Sequence, residues 1–166
     1  MSFTILMRNI IFVMFFLNIS SASCKEREVV ETHKNLYSQK VIPCYLDYGI
    51  DFCDVRHLAA IKKAIKTKKP VFYKKFIILF IKEFKSGLSM VAIDSVTHTA
   101  YPLPFDYFGG SVDEKGFEIG APSVGYNLNE NKICIDGTVY SYRNVKENAI
   151  SCYVFNGSGF DNVYDN

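Results

Sequence analysis

The six residues Phe76-Ile-Ile-Leu-Phe-Ile81 are apolar without a break, with Lys74 and Lys75 before them and Lys82 after. A run this short falls far below the roughly 20 residues a helix needs to span a bilayer. Continuous rather than alternating hydrophobicity predicts a central β-strand buried on both faces. A fold for this chain must therefore cover two sides of that strand.

Upstream, Asp54 is a good helix N-cap, and Val55, Leu58, Ile61 and Ile65 recur at helical spacing. Arg56, Lys62, Lys63 and Lys66 fall on the other side, and Pro70 stops the helix from continuing. Downstream, Ser86-Gly87 turns the chain into a strand over Leu88–Asp94, and a tight connection leads to another over 99–103. Pro102 and Pro104 end it, because proline cannot donate to a sheet ladder. Residues 105–122, rich in glycine, read as loop with a short strand at 117–119. Further strands are expected over 124–128, 132–135, 138–142, 149–155 and 160–164, with Asp136-Gly137 as a break and Asn156-Gly-Ser-Gly159 as a hairpin turn. The sum is an α+β fold, one N-terminal helix followed by an antiparallel β-meander of about six to eight strands.

The first residues describe a destination. One arginine, Arg8, precedes an apolar stretch over 10–17, and Ser21-Ala22-Ser23 provides a small-residue exit before Cys24. Basic, apolar and small in that order is the pattern of a cleaved signal peptide, assigned to 1–23. Residues 24–41 read as a polar tether, containing His33, and 42–166 as a single α+β domain. A cysteine at the cleavage point makes Cys24 a lipidation candidate, although Ser21 stands where a lipoprotein box prefers leucine.

Export gives the remaining cysteines a purpose. Cys44, Cys53, Cys134 and Cys152 make an even set, and an oxidising compartment favours two disulfides. Three pairings are open, the local one joining Cys44 with Cys53 and Cys134 with Cys152. No Cys-x-x-Cys or His-x-x-x-His spacing suggests zinc, and neither metal nor cofactor is expected.

Charge is distributed unevenly. Between Lys62 and Lys85 the only acid is Glu83, whereas acids lead from Tyr101 onward. The near-neutral net charge of +2 argues against a nucleic-acid binder. A basic patch on Lys62, Lys63 and Lys66 suits an acidic partner or anionic head groups, or is simply a solvated helix face. Aromatics beside Gly109-Gly110, namely Tyr101, Phe105, Tyr107 and Phe108, suit a binding surface or a core.

Two pairs are candidates for catalysis. Cys53 and His57 straddle the start of the helix, a setting that activates a thiol unless Cys53 is in a disulfide and His57 simply faces solvent. Asp94 and His98 bracket a turn and form half of a hydrolase triad, with Ser89 or Ser95 as nucleophile. Neither serine lies in a Gly-x-Ser-x-Gly elbow.

Several segments together carry a resemblance: Lys69-Pro-Val-Phe, Gly87-Leu-Ser-Met-Val-Ala-Ile-Asp94, Thr99-Ala-Tyr-Pro-Leu-Pro-Phe105, Tyr126-Asn-Leu-Asn, Lys132-Ile-Cys-Ile and Cys152-Tyr-Val-Phe-Asn-Gly-Ser-Gly-Phe160. Over the last two-thirds of the chain this pattern resembles small exported proteins of Gram-negative bacteria that have no established activity. The chain departs from them at Glu83-Phe-Lys-Ser86, where they carry a Gly/Cys-rich turn, and at Thr97-His98, where they carry Thr-Gly. The resemblance implies an envelope location, periplasmic or outer-membrane-associated. The resulting expectation is a protein-binding module, in its concrete form an immunity or inhibitor protein. A small periplasmic hydrolase and a structural protein anchored in the membrane through Cys24 are the alternatives.

Overall fold

Asp54 holds an extended conformation and its carboxylate accepts the backbone N–H of His57 at 2.7 Å, which fixes where the helix begins. Helix α1 runs over Val55–Thr67 and ends with the Lys68 N–H bonded to the Ala64 carbonyl. In this computed structural model the described residues are 40–46, 49–83, 87–142 and 144–163. The expected leader, Cys24 and His33 lie outside them.

Among the described residues, one helix precedes an antiparallel sheet of eight strands. They are β1 (Phe76–Lys82), β2 (Leu88–Asp94), β3 (Ala100–Pro102), β4 (Tyr107–Gly109), β5 (Ser123–Gly125), β6 (Lys132–Ser141), β7 (Asn144–Phe155) and β8 (Phe160–Val163). The order is β1-β2-β4-β6-β7-β8, with β3 also on β2 and β5 also on β6. Helix α1 is N-terminal only to the strands, since it begins more than fifty residues into the chain. Nor is the sheet a simple meander, because β4 skips β5 to reach β6.

The sheet curls. Neighbouring strands lie about 4.8 Å apart, so on a flat sheet β1 and β7 would stand roughly 19 Å from each other. Yet the ring centroids of Phe76 on β1 and Phe155 on β7 are 4.8 Å apart. Phe72 and Phe160 also stack, and Ile78, Met90, Phe108, Ile133, Ile135 and Tyr153 complete this inner core. On the convex side Ile77, Leu79, Ile81, Val91 and Ile93 pack against Phe52, Ile61 and Ala64 beneath the helix.

Strand β1 is thus buried on both faces, as its hydrophobicity requires, but it is a terminal strand of the sheet and not a central one. The helix supplies one cover and the rolled sheet the other. Other expectations shift as well. Val55 is exposed, while Leu58, Ile61 and Ala64 are buried and carry the apolar face of α1. Strand β4 lies inside the expected loop, and residues 117–119 contribute only the isolated bridge of Val112 with Glu118.

Asp136-Gly137 does not interrupt β6. Gly137 has φ +151° and a Cβ there would come 2.4 Å from the Gly109 carbonyl oxygen. Only glycine lets β6 pass β4 at that bulge. At the other end, Lys40 and Val41 from the expected tether run beside β3, the Ala100 N–H donating to the Lys40 carbonyl.

Candidate functional site

Among the described residues, the densest group of interacting ionisable side chains gathers where α1 begins and β1 ends. A disulfide between Cys44 and Cys53 ties down the segment leading into α1, and the Phe52 N–H donates to the Cys44 carbonyl at 2.8 Å. Asp51 accepts the Cys53 N–H, again at 2.8 Å. The next two side chains in α1, Arg56 and His57, both reach the residue that follows β1, Glu83.

Glu83 is buried and its carboxylate is saturated. Ser89 Oγ donates to Oε1 at 2.6 Å, His57 Nε2 lies 2.9 Å from the same oxygen, and Arg56 Nη2 pairs with Oε2. Burial pushes the Glu83 carboxyl upward, but the bonds from Ser89, Arg56 and His57 outweigh it and hold the group below its ordinary range. His57 Nε2 also lies 3.1 Å from Arg56 Nη2, so imidazole, guanidinium and carboxylate meet at one point. Arg56 Nη1 continues to the Lys82 carbonyl at 2.7 Å, locking helix to strand.

His57 is buried, not exposed. Its Nδ1 lies 2.8 Å from Asp54 Oδ1, yet that oxygen already accepts the His57 backbone N–H and Nδ1 has no aligned hydrogen bond. Burial raises the Asp54 carboxyl, but the His57 backbone N–H, the adjacent imidazole and the Arg56 charge prevail and lower it. A cleft of about 450 Å³ opens beside these groups, lined by Asp51, Asp54, Arg56, His57 and Glu83. Cys53, in its disulfide, has no thiol to offer His57.

The second expected pair separates. Asp94 is buried, and its carboxylate takes Lys75 Nζ at 2.7 Å and the amides of Val96 and Thr97 at 2.8 and 3.1 Å. Against the upward push of burial, these partners hold its carboxyl low. His98 joins Asp94 through its backbone N–H, which donates to the Asp94 carbonyl, and its side chain is exposed. Asp94 is a turn cap with a lysine partner. Ser89 is fully buried against Glu83, and Ser95 is half-buried.

The aromatic candidates divide. Phe105 and Phe108 are core residues, and Tyr101 packs edge-on to Phe76 and Phe155. Tyr107 stacks on Tyr140 with centroids 4.5 Å apart. Lys62, Lys63 and Lys66 all stand exposed on α1. The remaining cysteines join β6 to β7, Cys134 with Cys152, between directly opposed residues. Two disulfides suit an oxidising compartment.

The Glu83 cluster is the feature that sequence reasoning missed. One signal was present: Glu83 is the only acid in a long basic stretch and sits at the end of an apolar strand. Comparison with known proteins finds no matching family model, no matching curated protein and no matching solved structure.

Proposed function

We propose that this chain is an exported protein-binding module that offers the basic outer face of α1 to an acidic partner protein. One observation carries the reading. The single acid among the lysines of 62–85 is turned inward onto Arg56, His57 and Ser89, so its charge does not offset Lys62, Lys63 and Lys66 on the surface. A field of one sign on a rigid helix steers an oppositely charged partner. The Arg56–Glu83 and Arg56–Lys82 links hold that helix against the sheet, so little ordering remains when a partner binds.

The concrete form is an immunity or inhibitor protein of the envelope, neutralising an effector delivered by a competing bacterium. Two disulfides support the compartment, as does the resemblance to exported proteins of Gram-negative bacteria.

The test compares the wild-type mature chain with the variant K62E/K63E/K66E, both purified from the native envelope after mild cross-linking. The expected result is one acidic protein recovered in stoichiometric amount with the wild type, released by salt, and missing from the variant. Circular dichroism must be unchanged in the variant. Recovery of a free monomer, equal retention by the variant, or charge-dependent binding only to anionic vesicles overturns the proposal.

A further inference from the structure

The strand register sets four residues in one row across the sheet: Gly125 on β5, Cys134 on β6, Cys152 on β7 and Val163 on β8. Side chains alternate along a strand, and Ile133 and Ile135 belong to the aromatic core, so this row faces the convex side. On that side helix α1 packs over β1 and β2, away from the row.

The Cys134–Cys152 disulfide therefore has unlike surroundings at its two ends. Cys152 is only 2% exposed, with Val163 on its far side. Cys134 is half-buried and borders a cleft of about 360 Å³ together with Gly125 and Tyr126. The cleft lies within the size range of small-molecule sites.

Thiol–disulfide exchange is the attack of a thiolate on one sulfur while the other sulfur leaves. The attacking sulfur arrives along the line of the S–S bond. For Cys134 that line comes from the side opposite Cys152, which is the β5 side, over Gly125. Among the described residues, a Cβ built on Gly125 meets a single atom within 4 Å, the Cys134 carbonyl oxygen at 4.0 Å. The approach to Cys134 is thus open, whereas the approach to the buried Cys152 runs over Val163 and is covered.

We propose that this cleft admits a low-molecular-weight thiol, of cysteine to tripeptide size, and that Cys134 is the sulfur it attacks. The thiolate forms a new S–S bond to Cys134 as the Cys134–Cys152 bond breaks. The electron pair leaves on Cys152, which takes a proton from water. The incoming sulfur is oxidised and the Cys152 sulfur is reduced, so the exchange balances with the thiol as its one co-reactant. The β6–β7 ladder keeps Cys152 opposite Cys134. Return attack by the Cys152 thiolate expels the small thiol and restores the original bond, which makes the modification reversible. The inference does not depend on the basic helix or on its partner.

The experiment uses the mature chain with both disulfides intact, exposed to millimolar glutathione or L-cysteine, quenched with an alkylating agent and mapped by peptide mass spectrometry. The mixed disulfide is expected on Cys134 with Cys152 alkylated, at about tenfold or more over the reverse arrangement. Gly125→Val places a branched side chain across the approach and is expected to slow formation of the Cys134 adduct about tenfold. Gly125→Ala is expected to fall between, and keeps the test available if valine disturbs β5. A melting temperature equal to that of the wild type, with an unchanged reaction rate at Cys44–Cys53, certifies the fold of the variant used. An adduct mainly on Cys152, no adduct at either cysteine of the pair in the folded chain, or equal rates for the wild type and a folded Gly125 variant overturns the proposal.

Discussion

Ser89 Oγ on β2 donates to Glu83 Oε1, just beyond β1, at 2.6 Å, and the same oxygen faces His57 Nε2 from α1. One carboxylate thus joins the helix to the first hairpin. Replacing it with the neutral isostere, Glu83→Gln, removes the charge that Arg56 and His57 address. A fully buried pair would lose about 3–5 kcal/mol, but Arg56 is half exposed and can return to water, so about 2 kcal/mol is expected. Ser89→Ala removes one donor and leaves the others, for a loss of about 1 kcal/mol. Urea denaturation of both variants checks the order, and an unchanged midpoint for Glu83→Gln would remove the cluster from any structural role.

Gly137 and Gly116 form a controlled comparison. Both hold positive φ, +151° and +79°, but a Cβ at Gly137 meets the Gly109 carbonyl oxygen at 2.4 Å while one at Gly116 meets nothing within 4 Å. Gly116→Ala carries the backbone penalty alone, about 1 kcal/mol. Gly137→Ala adds the collision of β6 with β4 and is expected to cost about 3 kcal/mol or more. Equal melting temperatures for the two variants would show that β4 does not constrain the bulge.

Much of this was legible from short-range chemistry. Asp54 as N-cap, the turn at 156–159 and the local pairing of Cys44 with Cys53 depend on residues near one another in the chain. The apolar run 76–81 correctly demanded two covers. Periodicity does not encode which strands are neighbours, so it could not place β1 at the end of the sheet. Strand β4, three residues long and ending in Gly109 with Gly110 next, carries too little pattern to read. His57 was misread because its partner lies 26 residues further on. A histidine four residues after a cysteine suggests local chemistry, whereas burial here depends on tertiary packing.

The disulfides act on different elements. Cys134–Cys152 spans 18 residues between opposed positions of β6 and β7, and Cys44–Cys53 spans 9 residues ahead of α1. Loop-closure entropy gives each about 3 kcal/mol, with less than 1 kcal/mol between them. Removing Cys134–Cys152 as a double alanine variant is expected to lower the denaturation midpoint while strand pairing survives, since the ladder around it persists. Removing Cys44–Cys53 loosens the segment before α1, so amide exchange should quicken at Phe52 and Cys53 before it does in the sheet. Uniform acceleration across both regions would argue against this division.

Acid should attack the fold through three carboxylates. Asp54, Glu83 and Asp94 are each held below their ordinary values by hydrogen bonds and cationic neighbours that outweigh burial. A depressed folded value means that the native state releases the proton more readily than the unfolded chain does. The stability from these groups is therefore complete above the unfolded values of about 3.9 for Asp and 4.3 for Glu, and disappears as pH falls through the lower folded values. These three groups predict a flat stability curve between about pH 5 and 7 and a decline below about pH 4. Glu83→Gln combined with Asp94→Asn lowers stability at neutral pH but removes two sources of the decline. Its curve should accordingly converge on that of the wild type in acid. Denaturant titrations at a series of pH values check this, and curves that stay parallel down to pH values of about 2 would assign acid sensitivity to other groups.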